Sequence, residues 1–290
     1  STTALYHLIH ALEQRWGVHF AKGGTGAIVR GLVRLMEEVG IEVVTGQSVH
    51  SIDHDGTRVR QVICDDGTRH DCDMVVANTD PDHLYDDLLQ RRPRPPRPTQ
   101  HSFSLYLLYF GTNCLYPEIA HHTILMGRDY TGELKNLFGR QQFDRDNFSI
   151  YLHRPTATDS QMAPQGCESF YALVAVPNLK SDMNWDTQAG VVREAVIDRL
   201  EARLLPGLRA NLATELALDP RYFRDSLLSN HGAAFSVSPL FYQSGYFRYH
   251  NKVPGMANIY LTGAGTHPGA GIPGVLNSAK IVEKLAGTPA

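Results

Sequence analysis

Over residues 26–39, "GAIVRGLVRLMEEV", the apolar side chains Ile28, Leu32, Leu35, Met36 and Val39 recur at helical spacing and the arginines and glutamates take the other positions. That period predicts an amphipathic helix, closed by Gly40. The pattern then shortens: "IEVVTG", "SVHSID", "TRVRQVIC" and "DMVVAN" are brief β-prone runs, with Asp55-Gly56 and Asp66-Gly67 as turns between them. Asp-Gly between such runs is a strong hairpin signal, so residues 41–78 are expected to form a helix-following strand and a small antiparallel meander. Ahead of these, "TTALYHLIHALEQRWG" reads as a helix.

Residues 91–98, "RRPRPPRP", can be neither helix nor central strand, and a lobe boundary is expected near them. A solvated linker explains this run; an SH3-like groove or acidic lipid headgroups are the alternatives. Three apolar strand candidates follow, "SFSLYLLYF", "NFSIYLHRP" and "ESFYALVAVP", then a helix through Val192, Val196 and Leu200 that stops at Pro206-Gly207. This second lobe reads as a mostly antiparallel sheet with helices beside it. Its many tyrosines and phenylalanines suit either an oily ligand or a plain aromatic core. Near the end, Asn258–Thr262 is a short apolar run, glycines and Pro273 break the chain, and Val275, Ala279, Val282 and Ala286 return at helical spacing. The expected fold class is α/β with α+β lobes. Residues 1–20 are expected to be a helical segment of the second lobe, 21–82 part of the first lobe, 83–250 the second lobe, and 251–290 the rest of the first.

Composition narrows the chemistry. A chain of 290 residues with a net charge of −3 lacks the basic footprint of a nucleic-acid binder. Cys64, Cys72, Cys114 and Cys167 show no C-x-x-C spacing, which fits idle thiols in a reducing, cytoplasmic setting. No apolar run is long enough to cross a membrane. Ser236 and Ser278 lie outside any G-x-S-x-G, so a serine hydrolase is set aside. His121 and His122 are adjacent, and adjacent strand residues point to opposite faces; with no further ligand at metal spacing, no metal is expected. His153, His231 and His267 read as structural loop histidines. The "GAGTHPG" string has glycine-motif spacing after a strand and before a helix, where unpaired N–H groups favour a phosphate or an electron-rich ring edge. A first-strand dinucleotide fingerprint would need a second strand with an acidic residue about 20 positions on, and none follows.

The longer strings carry more. "NIYLTGAGTHPGAGIPGVLNSAK" resembles the carboxy-terminal flavin signature of bacterial-type phytoene desaturases. "HALEQRWGVHFAKGGTGAIVRGL", "VVANTDP", "LYLLYFG", "AHHTI", "YLHRPTATDSQMAPQG" and "FRDSLLSNHGAAFSVSPLFYQSGYFR" agree in the same order. The resemblance covers essentially the whole chain and matches the carboxy-terminal part of that family, without its first FAD-binding unit. It implies FAD as cofactor, with Gly263, Ala264, Gly265, Gly271, Ile272, Pro273, Gly274 and Val275 as the second flavin contact and Val49 near the adenine. It implies Thr158, Asp159, His231 and Phe235 as substrate-lining residues, leaves the catalytic residue unassigned, and implies hydride removal from a lipophilic polyene at a membrane surface. Tyr249 stands where the family is expected to have proline. Two rivals stay open: a related carotenoid isomerase or retinol saturase, and a non-catalytic or partner-binding remnant. Oligomeric state is not readable.

Overall fold

The computed structural model describes residues 6–91 and 99–287, so the proline-rich run at 92–98 lies outside the described residues. The strands in chain order are β1 Val49–His54, β2 Val59–Cys64, β3 Arg69–Asp71, β4 Val75–Ala77, β5 Ser104–Thr112, β6 His122–Leu125, β7 Ile150–His153, β8 Glu168–Val176, β9 Leu212–Leu218 and β10 Ile259–Leu261. The longer helices are α1 Tyr6–Trp16, α2 Thr25–Glu38, α3 Trp185–Arg203 and α4 Ile272–Ala286. The chain divides into two compact units: Ser1–Ile9, Val44–Ser102 and Phe223–Ala290 form the first, His10–Val43 and Phe103–Tyr222 the second.

In the first unit the expected meander forms: β1 pairs antiparallel with β2, and β2 with β3. Asp55 closes its hairpin, its carboxylate accepting the backbone N–H groups of Thr57 and Arg58 at 2.9 Å each. "DMVVAN" leaves the meander, because β4 instead pairs parallel with β10, Val75–Ala77 against Ile259–Leu261. Asn258 joins the two sheets. Its amide accepts Val59 N–H at 2.8 Å and donates to the carbonyls of Val59 and Asp73 at 2.9 and 2.8 Å. Ile52, Leu84, Leu88, Ile259 and Leu261 fill the core beneath.

The second unit is built on an antiparallel sheet in the order β6-β7-β8-β5-β9. The three strands expected from their apolar runs are all present, as is α3. In β8 alternate residues are buried, so Phe170, Ala172, Val174 and Val176 face inward. They meet Val192, Val196 and Leu200 of α3, each fully buried. Each of these side chains larger than alanine contributes roughly 1.5–3 kcal/mol, and together they fix both the sheet face and the helix face.

Three further features differ from the sequence expectation. Residues 41–46 form no strand: Ile41, Val43 and Val44 are exposed, no described strand pairs with them, and the Ile41 N–H instead donates to the Met36 carbonyl at the end of α2 at 2.8 Å. α2 forms where its period predicted, yet none of its residues is buried; Ile28, Leu32 and Leu35 are 45%, 50% and 53% exposed. The division of the chain also falls elsewhere than at residues 21, 83 and 251. Residues 21–43 belong to the second unit, where Gly23 N–H donates to the Asp159 carboxylate at 2.8 Å, and residues 223–250 belong to the first.

Candidate functional site

The glycine-rich turn of the first unit connects β10 to α4. Its glycines do two different jobs. Gly263 (φ 108°) and Gly265 are buried, and a Cβ added to them would meet Asn78 Oδ1 at 2.2 Å and Pro81 Cδ at 2.3 Å. They let the turn press onto the segment that follows β4. A Cβ on Gly274 would lie 2.4 Å from the carbonyl oxygen of Gly269, so the first turn of α4 closes directly on the loop. Gly271 (φ 96°) is the reverse: it is exposed, with open space where a Cβ would be. Ala270, Ile272 and Pro273 are exposed beside it, Ala264 is half-buried and Val275 half-buried.

Ser278 holds the turn from inside the helix. Fully buried, its hydroxyl oxygen accepts Gly263 N–H at 3.2 Å and Asn251 Nδ2–H at 2.8 Å, and lies 2.9 Å from Thr266 Oγ1, which itself donates to Gly263 O at 2.9 Å. Arg248, buried as well, donates to the carbonyls of Ala264 (2.7 Å), Val237 (3.1 Å) and Phe235 (2.8 Å), tying the loop to the preceding segment. The result is a rigid loop feeding a 15-residue helix whose N-terminus has no side-chain cap. Such a start offers unpaired N–H donors and about half a positive charge to an electron-rich ligand. Gly271 to Gly274 therefore fit a cofactor's anionic or carbonyl oxygens, whereas Gly263 and Gly265 are packing residues.

Under the loop, Asp82 is 3% exposed. Burial alone would raise its carboxyl, but hydrogen bonds from His101 (2.5 Å), Asn230 (3.0 Å) and Tyr249 (2.9 Å) outweigh that and hold it well below the usual carboxylate range. A group depressed in this way stabilises the fold fully at neutral pH and loses that contribution as pH falls below about 4. Tyr249, the residue that departs from the expected proline, thus serves this carboxylate, and its ring lies 5.8 Å from that of Tyr85. Tyr249→Phe is expected to cost about 1–3 kcal/mol by leaving a buried oxygen short of a donor, read as a lower Tm; an unchanged Tm would contradict the assignment. His231, at φ 56°, sets its ring edge-on to His101 at 4.9 Å, and Phe235 is 38% exposed. Val49 is the first residue of β1, opposite Cys64.

Thr158 and Asp159 belong to the second unit, His231 and Phe235 to the first. Asp159 is used structurally, its carboxylate capping Gly23 and Gln161 N–H groups. On the sheet face away from α3, Tyr109 and Tyr171 stand side by side at 5.5 Å, Tyr151 lies 5.7 Å from Tyr171, and Leu216 and Ile124 are exposed at 59% and 65% on the flanking strands. That is a partly exposed aromatic and aliphatic row across the sheet.

At its end the structure gathers what the sequence reading kept apart. His153 is the last residue of β7, not a loop residue, and register places it opposite His122. His121 sits just before β6, so strand alternation does not separate it from its neighbour, and the two rings are 4.4 Å apart. The Nε2 atoms of His121 and His153 are 2.8 Å apart. Only the pairing of β6 with β7 brings the third ring in, and no spacing along the chain encodes it.

Residues 1–282 match the family described as flavin containing amine oxidoreductase. The lycopene-forming phytoene desaturase of Pantoea ananas is 42% identical over 98% of this chain and 59% of that protein. The corresponding Paracoccus enzyme is 44% identical over 98% of this chain and 58% of its own length, and the neurosporene-forming phytoene desaturase of Cereibacter sphaeroides 37% over 99% and 57%. The chain thus spans less than two thirds of the relatives it matches. Among solved structures, an oxidoreductase from Methanosarcina mazei superposes with a TM-score of 0.59 at 18% identity, over 90% of this chain and 54% of that one, which shows a shared fold. On the family match across nearly its whole length, joined to the strand, glycine turn and uncapped helix described above, the chain belongs to the flavin-containing amine oxidoreductase family.

Proposed function

We propose that these residues form the flavin-ring and substrate portions of an FAD-dependent desaturase that removes hydrogen from phytoene or a related polyene. The observation that carries this is the uncapped start of α4, exposed at Gly271–Pro273 on a loop that the close approaches of Gly263, Gly265 and Gly274 hold in place. FAD, when bound, supplies the hydride acceptor for a C–C bond flanked by conjugating double bonds. The chain's own part is to hold its ligands. Backbone N–H groups at Ile272 and Gly274 present donors, and the Ser278–Thr266–Asn251 network keeps them in place. The row of Tyr109, Tyr171 and Tyr151 gives an apolar polyene flat rings to lie against. No proton acceptor is assigned among these side chains. No helix among the described residues is long and apolar enough to cross a membrane. Because the substrate dissolves in lipid, we place the working protein on the cytoplasmic membrane surface.

The test supplies phytoene to the full-length protein with FAD and analyses the products. Products with extended conjugation are expected, whereas an isomerised but equally hydrogenated product, or a more saturated one, would overturn desaturation. The 290-residue chain alone is expected to purify colourless and without turnover, since a flavin held by the start of α4 keeps only part of its contacts; a yellow, active preparation would contradict the division of the flavin site proposed here.

A further inference from the structure

We propose that His121, His122 and His153 hold one divalent transition-metal ion of the zinc class, which clips the Thr156–Asp159 loop to the end of the β6–β7 hairpin. Each histidine offers one ring nitrogen, and these atoms all lie within 4.8 Å of one another. Zinc–imidazole bonds of about 2.0–2.1 Å in tetrahedral geometry place ligand nitrogens about 3.3 Å apart. His121 Nε2 and His153 Nε2, now 2.8 Å apart, need move only by a fraction of an ångström to reach that spacing.

For two of the three rings the surroundings match what a metal-bound imidazole requires on its far side. His121 Nδ1 lies 2.5 Å from Thr158 Oγ1, and His122 Nδ1 lies 2.6 Å from Tyr151 Oη. Both hydroxyls can accept an N–H and so fix the tautomer that turns Nε2 toward the ion. His153 Nδ1 is buried with no hydrogen-bond partner, so this ring has one nitrogen facing the cluster and one in an apolar wall. Phe20 and Tyr171 form that wall, their ring centroids 5.8 and 4.7 Å from His153. Register sets His122 opposite His153, and its ring lies 5.4 Å from that of His153, so all three rings converge on one point.

The donor set selects the metal. Three imidazoles without a carboxylate suit zinc, copper, nickel or cobalt and not magnesium or calcium. Three protein ligands leave a fourth position for water or a ligand atom. Thr158, expected from the family resemblance to line the substrate, is bonded to His121, so the ion holds the loop that carries it.

The experiment uses tag-free full-length protein, stripped with a chelator and titrated with Zn2+ or Co2+. One equivalent is expected, with the visible absorption of tetrahedral Co2+ and a higher Tm, because an ion that binds only the folded state stabilises it. His122→Gln, at an exposed position that leaves the core untouched, is expected to weaken affinity at least about tenfold and to abolish the Tm rise. Tyr151→Phe is expected to weaken it less. No binding at one equivalent, or binding and Tm rise unchanged in His122→Gln, would overturn the proposal. Metal content is read independently of flavin and turnover, so the result stands apart from the desaturase reading.

Discussion

Gly274→Ala in the full-length protein is expected to abolish flavin retention. The added Cβ would sit 2.4 Å from Gly269 O and 3.1 Å from Gly269 C, backbone atoms that cannot rotate away as a side chain could. The loop or the helix must therefore move. Overpacking of this kind costs typically about 1–3 kcal/mol, and here the displaced element is the one that presents the N–H donors of Ile272 and Gly274. The visible-to-ultraviolet absorbance ratio of the purified protein reads the result. Gly190→Ala is the control: that glycine is inside α3 with open space around it, so alanine is expected to leave flavin content unchanged and to add about 0.5–1 kcal/mol of stability. Normal flavin content in Gly274→Ala would show that the first turn of α4 does not touch the cofactor.

Arg154→Ala is expected to cost about 3–5 kcal/mol. Glu168 is 2% exposed because the alternation of β8 turns it inward with Phe170 and Ala172. Arg154 meets it with two hydrogen bonds, at 2.7 and 2.6 Å, Thr156 adds a third, and Tyr116 N–H a fourth at 3.3 Å. Burial would push the Glu168 carboxyl up; the bonds from Arg154, Thr156 and Tyr116 outweigh it and hold the carboxyl below its ordinary value. Its folded-state pKa is thus depressed, and its stabilising contribution is present at neutral pH and lost as pH falls below about 4.3. In Arg154→Ala the buried carboxylate keeps only Thr156 and the Tyr116 N–H and loses its counter-charge, so burial raises its carboxyl relative to the parent and protonation relieves part of the cost. The stability gap between the two proteins is therefore expected to be widest near neutral pH and to narrow in acid, as chemical denaturation at both pH values reads. A gap that does not change with pH would contradict the role given to this pair.

How much of this was readable along the chain follows from what each residue does. β5, β7, β8 and α3 were legible because their apolar positions repeat with the period of the surface they bury. β9, "LATELAL", was not, since most of its side chains are exposed and its place comes from pairing with β5. Residues 41–46 carry a strand's composition but lack a strand beside them. In the site, the glycine turn and its helix were legible as punctuation, yet the division between packing glycines at 263 and 265 and the open Gly271 depends on Asn78 and Pro81, nearly two hundred positions earlier. The Asp82 network and the histidine cluster come from register and tertiary contact, which no local pattern contains.

The central claim is that the start of α4 meets the flavin. Amide hydrogen exchange at Ile272, Gly274 and Val275 of the full-length protein, with and without FAD, tests it most directly. The account predicts marked slowing at these amides when FAD is bound, with the buried amides of β10 little changed; exchange at Ile272 and Gly274 that is equally fast with FAD saturating would contradict it.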